Sequence, residues 1–259
     1  MPLSPLIPFP QQSGNFSSST FADPLGNRID TPADLSASFE IDAVELIGDG
    51  GSARVYKVQT VSSGSYAVKE MSASRDPRTE IKALQKLSIH PHVVHFVGSK
   101  KNDETIRITT DLINAESLQR QTPSAADFKI IFKQLLQTLD FCHGEGIAHL
   151  DIKPANLLWN ADSRELKVID FGEARFFDPI CPFIEEAHLP IGTPQYRDDY
   201  LDASLNPVRI DLYSAGVTLK ELFVQRATPD QATTRLINRC LSGHESIVSI
   251  LMDPWFDDA

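Results

Sequence analysis

Several things are scarce or missing in this chain, and each shortage removes a class of function. No apolar run in the 259 residues approaches the ~20 that a membrane-spanning helix needs. Cysteine is sparse: Cys142, Cys181 and Cys240 are far apart, odd in number and form no CxxC pair. A disulfide framework or thiolate metal site is therefore not expected, and reduced thiols are. Positive charge is short, with 24 Lys+Arg against 35 Asp+Glu and a formal net charge of −11. Such a surface repels phosphate backbones and anionic bilayers, so neither nucleic acid nor membrane is an expected partner. The N-terminus lacks a basic segment followed by an apolar core. No secretory signal is read there, and a cytoplasmic or else nuclear location is expected. One further absence is local: from Glu173 to Gly192 there is no Ser, Thr or Tyr.

What remains is ordinary for a globular chain, with 41% hydrophobic and 23% charged residues. The length suffices for a full core, in one domain or in two lobes sharing a cleft. Residues 1–39 are rich in Pro, Ser, Gln and Asn, with isolated Leu and Phe, and read as a disordered tail. A regulatory partner acting through this tail is one expectation. From there Ile41–Ile47, Ala53–Gln59 and Gly64–Met71 alternate apolar and polar residues and predict antiparallel strands. Val93–Gly98 and Glu104–Thr110 predict two more. Asp76 and Pro77 open a helix to Ser88 as N-cap and first-turn residues. In Ala125–Gly144, Phe128, Ile131, Phe132, Leu135, Leu139 and Cys142 recur at i, i+3, i+4 and predict a long helix with one apolar face. Further helices are predicted over Arg209–Leu222, 231–241 and 245–252.

The chain is organised around Ile147–Gly172, IAHLDIKPANLLWNADSRELKVIDFG. Two apolar runs, Leu157–Trp159 and Leu166–Ile169, flank the turn formers Asn160-Ala161-Asp162-Ser163 and predict a hairpin. A hairpin brings its ends together, here Asp151, Lys153 and Asn156 at one end and Asp170 at the other. Two acids and an amide can hold a divalent cation on hard oxygens, with Lys153 left to neutralise a phosphate and Asp151 to accept a hydroxyl proton. Upstream, Gly48, Gly50 and Gly51 sit between two strands, where glycine lets backbone amides approach a phosphate chain. Lys69 lies among apolar neighbours, and Glu80 is one turn into the next helix, within reach of it.

HxDxKxxN followed by DFG, with GxGGxAxV and AVK before it, resembles the protein kinase pattern over about residues 39–257. That resemblance implies an α+β fold of two lobes. The small lobe (40–110) would hold a five-stranded antiparallel sheet and one helix. A hinge (111–114) would lead to a mainly helical, shortened large lobe (115–257). It implies ATP and Mg²⁺ as cofactors and a Ser/Thr-containing protein as substrate, with the chain a monomer. Asp151 would be the catalytic acceptor and Lys153 its partner. Lys69, steadied by Glu80, would hold the α- and β-phosphates, and Asn156 and Asp170 the metal. The nucleotide would lie against Ile47, Gly48, Gly50, Gly51, Val55, Ala67 and Leu158, with Asp111 and Ile113 bonding the adenine edge and Thr110 behind. Gly192-Thr193-Pro194-Gln195-Tyr196 and Lys153 mark the Ser/Thr type, and Asp211 would hold the catalytic-loop backbone.

Four departures stand out. Leu150 replaces the arginine of the usual His-Arg-Asp, and Asp198-Asp199-Tyr200 replaces Ala-Pro-Glu. His244 is read in place of the arginine that pairs with that glutamate. The stretch from Leu222 to Gln231 is too short for the usual helix. Ala155 beside Asn156 gives no support for basic substrates. With Leu150 unable to bind a phosphate, Phe176, Phe177, Ile180, Phe183 and Ile184 are expected to hold the following segment by packing. Activity independent of phosphorylation there follows. The alternatives are a small-molecule phosphotransferase of the aminoglycoside- or choline-kinase type, a pseudokinase scaffold, and a non-enzymatic interaction protein using the tail. Lys153, the GTPxY sequence and the Asp211 helix argue against the first. The complete set Lys69, Glu80, Asp151, Asn156 and Asp170 argues against the second, and only the tail supports the third.

Overall fold

The computed structural model describes residues 21–22, 28–29, 41–50, 53–61, 64–184, 192–198, 206–225 and 229–257. Most of the expected tail, together with Gly51, Asp199 and Tyr200, lies outside them. Within residues 1–40 one antiparallel pair is described, Phe21–Ala22 with Arg28–Ile29.

Strands β1 (Ile41–Gly50), β2 (Ala53–Thr60), β3 (Gly64–Ser72), β4 (Phe96–Lys101) and β5 (Thr105–Asp111) form one antiparallel sheet in the order β1-β2-β3-β5-β4. Alternation decides its faces. Tyr56, Val58 and Val68 pack with Val44 in an apolar cluster. Their neighbours Val55, Ala67 and Lys69 turn the other way and are only half-buried. β4 begins three residues later than the apolar run predicts. Val93 instead bridges Val168 in parallel, and Val168 N–H bonds His92 O at 2.7 Å. An apolar run alone does not say which partner a strand takes. Helix α1 (Arg78–Leu87) buries Glu80, Ala83, Leu84 and Leu87. Its cap is Pro77, one position later than predicted, while Asp76 accepts from Arg78 N–H at 3.1 Å.

The large lobe is built on α2 (Ala125–Gly144), opened by a capping box between Ser124 and Asp127. Strand β6 (Glu116–Ser117) pairs with β8 (Leu157–Asn160), which forms the predicted hairpin with β9 (Glu165–Val168). Two short strands, β7 (Ile147–Ala148) and β10 (Arg175–Phe176), pair beside it. Helices α3 (Pro207–Val224), α4 (Gln231–Ser242) and α5 (Ile247–Leu251) complete the lobe, capped by Asn206, Asp230 and Ser246. α3 and α4 pack so closely at Gly216 that a Cβ there would lie 2.8 Å from Cys240 Cβ. One continuous core joins the lobes, from Met71, Leu84 and Ile106 to Phe128, Phe171 and Trp255.

His244, read at the place of the pairing arginine, is exposed, and Tyr200 at the place of its glutamate lies outside the described residues. Gly243 takes the left-handed conformation that ends α4 and turns the next residue outward. The cation of this corner is Arg239, which holds Glu245 through Nε at 2.8 Å and Asp253 through Nη1 at 2.6 Å.

Candidate active site

The hairpin does what its sequence implies. Leu157 pairs with Val168, and Ile169 N–H bonds Asn156 O at 3.0 Å, so Asn156 and Asp170 emerge side by side. Lys153-Pro154-Ala155-Asn156 closes as a turn, Asn156 N–H to Lys153 O at 3.0 Å. Asn156 Nδ2 then donates to Asp151, to its backbone O at 2.8 Å and its Oδ2 at 3.0 Å. Lys153 Nζ lies 2.7 Å from the same Oδ2. The other oxygen, Oδ1, accepts from Thr193 Oγ1 at 2.7 Å, and Thr193 accepts from Lys153 Nζ at 2.7 Å. In the sequence Thr193 stands as part of the GTPxY mark of the Ser/Thr type; the structure sets it on the Asp151 carboxylate itself. Gly192 brings it there with φ 71°, its own α-carbon so close that a Cβ would meet Leu150 O at 2.3 Å.

Buried groups hold this loop from behind. Asp211, fully buried on α3, accepts from Leu150 N at 2.7 Å and His149 N at 2.9 Å. His143 of α2 adds a third contact at 2.8 Å, which the sequence did not reveal. His149 was missed too. Its Nδ1 accepts from Asp151 N–H at 3.2 Å, so Nε2 carries the proton donated to Ile169 O at 3.0 Å. One ring thereby ties the residue before Asp170 to Asp151. Leu150 and Asp170 both have positive φ, 64° and 63°, a strained conformation kept where the surroundings over-determine it.

The small lobe supplies the rest. Lys69 Nζ lies 2.7 Å from Glu80 Oε1 and 2.7 Å from Asp170 Oδ1. Burial works against the Lys69 charge, but Asp170 and Glu80 outweigh it and raise its pKa. Burial pushes Glu80 up in spite of Lys69. For Asp170 burial pushes the same way, and Lys69 overrides it, holding the carboxyl below its ordinary value. A cavity of about 390 Å³ opens between the lobes, lined by Lys69, Glu80, Asp151, Lys153, Asp170 and Thr193. A larger, shallower hollow of about 540 Å³ lies on α4, among polar side chains remote from this set.

Sheet register places the remaining predicted residues. Val55 lies opposite both Gly48 and Lys69, and Ala67 opposite Thr110, so all share the face that carries Lys69. Leu158 is half-buried between the buried Leu157 and Trp159, and so points away from their core. Asp111 ends β5 and Ile113 follows it, both half-buried. Ile47 is 41% exposed, and Gly50 pairs with Ala53 at the β1–β2 turn.

Two oxygens stand ready for a cation. Asn156 uses Nδ2 on Asp151 and has no bond to Oδ1 among the described residues; Asp170 gives Oδ1 to Lys69 and to Gly172 N–H, leaving Oδ2. An amide and a carboxylate oxygen from facing hairpin ends fit a hard divalent ion completed by phosphate oxygens. Among the described residues no group of three or more His, Cys, Asp or Glu could hold a metal unaided.

The protein kinase domain pattern matches residues 41–256. The chain belongs to the protein kinase family. It is similar to Cell division control protein 2 homolog D of Antirrhinum majus, 31% identical over 219 residues, covering 74% of this chain and 69% of that one. Calcium-dependent protein kinase 7 of Arabidopsis thaliana is 26% identical over 266 residues, 95% of this chain but 46% of its own length. Serine/threonine-protein kinase GE16371 of Drosophila yakuba is 26% identical over 88% of this chain and 31% of its own. This kinase domain thus spans less than half the length of the latter two relatives. The five-stranded sheet and helical lobe are consistent with the protein kinase fold.

Proposed function

We propose that the chain transfers the γ-phosphate of ATP, with Mg²⁺, to Ser or Thr hydroxyls of protein substrates. The observation behind this reading is the triangle Asp151–Thr193–Lys153, each side 2.7 Å, facing Lys69 and Asp170 across one cavity. Asp151 orients the acceptor hydroxyl and takes its proton. Lys153 lies beside the same carboxylate, where it offsets charge developing on the transferring group. Lys69, fixed by Glu80, anchors the phosphates, and Asn156 Oδ1 and Asp170 Oδ2 would hold Mg²⁺. The ion would supply charge neutralisation across the phosphates. Catalysis is then positioning and electrostatics rather than covalent work by the protein.

Labelled γ-phosphate offered with a degenerate peptide library, and separately with aminoglycosides and choline, tests the reading. Label on Ser and Thr peptides supports it. Label on small alcohols alone, or on none of these, overturns it.

A further inference from the structure

Helix α1 carries Glu80 in its first turn and is fastened to the large lobe by its last. Lys86 Nζ donates to the backbone O of Glu145 at 2.7 Å and pairs with Oε2 of the same residue at 3.0 Å. Glu145 is the C-cap of α2, so the ammonium also meets the negative end of that helix dipole. Four residues on, the His90 ring stacks on Phe141 of α2 at 4.8 Å between centroids. The C-terminal end of α1 is therefore held to α2 twice. Its first turn joins the catalytic set through Glu80 and Lys69. Six residues separate Glu80 from Lys86, about 9 Å of helix axis. A helix held at one end sets where a side chain at its other end can reach.

We infer that Lys86 is a positioning residue. By clamping α1 to the end of α2 it places Glu80, and through Glu80 places Lys69. The inference rests on the phosphotransfer reading above. Side chains 46% and 39% exposed make this a clamp of modest strength, open to salt.

The test compares the full chain with Lys86→Ala, Lys86→Arg, Lys86→Glu and the charge-exchanged Lys86→Glu/Glu145→Lys. Alanine is the strongest helix former, so its effect is not loss of the helix. Lys86→Ala should lower kcat about two- to fivefold, the span typical of a surface ion pair. Lys86→Glu should lower it further, with Tm nearly unchanged. Lys86→Arg should recover most of the rate. The exchanged pair should recover only the part lost beyond Lys86→Ala, since a carboxylate at 86 cannot donate to the backbone O of residue 145. Added salt should slow wild type more than Lys86→Ala. Unchanged kcat in both Lys86→Ala and Lys86→Glu, or a loss that only follows Tm, overturns the inference. If wild type phosphorylates no peptide, the phosphotransfer reading fails on its own. The rise in Tm given by Mg-ATP then decides: a smaller rise in Lys86→Glu, recovered in part in the exchanged pair, supports the clamp, and equal rises in all variants refute it.

Discussion

Two ion networks of similar geometry, one in the cleft and one within the large lobe, differ in what they leave unpaired. At the foot of the large lobe, Arg239 and Arg235 hold Glu245 and Asp253. Each of the four carboxylate oxygens there has a partner: Arg239 Nε on one Glu245 oxygen, Arg239 Nη2 and Ser249 on the other, Arg235 and Trp255 N–H on Asp253 Oδ1, and Arg239 Nη1 on Oδ2. In the cleft the distances are just as short, yet Asn156 Oδ1 and Asp170 Oδ2 have no partner among the described residues. A saturated network can only hold the fold. One that stops short of saturation can take a further ligand.

The strongest way to break this comparison is Asp170→Asn. It removes a metal oxygen's charge and leaves the Lys69–Glu80 pair in place. Phosphotransfer should fall about a thousandfold or more, since each ~1.4 kcal/mol of barrier is a factor of ten. Its melting temperature should change little. Activity within tenfold of wild type would put Asp170 with the structural acids.

Lys69→Met should cost somewhat less, about a hundredfold in kcat, or ~2.7 kcal/mol. The Tm rise given by Mg-ATP should shrink, because ligand binding to the native state is what produces it. The variant also leaves Glu80 buried without its cation. Burial already raises that carboxyl, so it would fold best protonated. A raised folded pKa gives stability at low pH that is lost as pH rises through it. The variant's Tm should therefore decline relative to wild type from acid toward neutral pH. An identical pH profile and an unchanged Mg-ATP shift would remove Lys69 from the site.

Arg239→Ala probes the other network, and it should change stability alone. Buried Asp253 loses one of two cations, a cost of about 2 kcal/mol, which lowers Tm by roughly 4–8 °C in a domain of this size. Turnover per folded molecule should stay at the wild-type value. The hydrogen bond from Arg239 holds Glu245 down to about 2. A depressed carboxylate stabilises above its unfolded value and loses that contribution as pH falls through the folded one. Wild type should thus lose this stability between the ordinary carboxylate range and pH about 2, and the variant should show a flatter acid limb. Equal acid limbs would separate Glu245 from Arg239.

Much of this was legible in the sequence because local rules decide it. The α2 bounds follow from its i, i+3, i+4 apolar stripe. The hairpin follows from Asn160–Ser163 between two apolar runs, and the meeting of Asn156 with Asp170 follows from the hairpin. Contacts between distant residues were less visible. His143 and Asp211 are 68 positions apart, and nothing in either neighbourhood names the other. Arg239 pairs with Glu245 and Asp253, 6 and 14 positions away, and no motif in the sequence spans them. Val93 was drawn into β4 because an apolar run fits any strand, including one completed by Val168.

The smallest expected effect is none at all, and it concerns the segment after Asp170-Phe171-Gly172. Where a phosphate would need an arginine, Leu150 is buried with Ala148, Ile184 and Ile210, and Phe177 packs against them. Of the five apolar residues expected to pin this segment, Phe177 and Ile184 do so. Phe176, Phe183 and Ile180 are exposed, at 44%, 49% and 93%. The grip is therefore an apolar contact of few residues, placed beside the Asp151 loop and needing no charge. Farther on, Gly192 abuts Leu150 O and Thr193 bonds Asp151, so the described ends of the segment both rest on the catalytic loop. Covalent phosphate would add charge to an uncharged clasp and find no guanidinium at position 150. Phosphatase-treated protein should show its full rate from the first turnovers, before it can modify itself. A lag that shortens with pre-incubation in Mg-ATP, and a slow start restored by phosphate on Thr193 or Tyr196, would show that the clasp is insufficient.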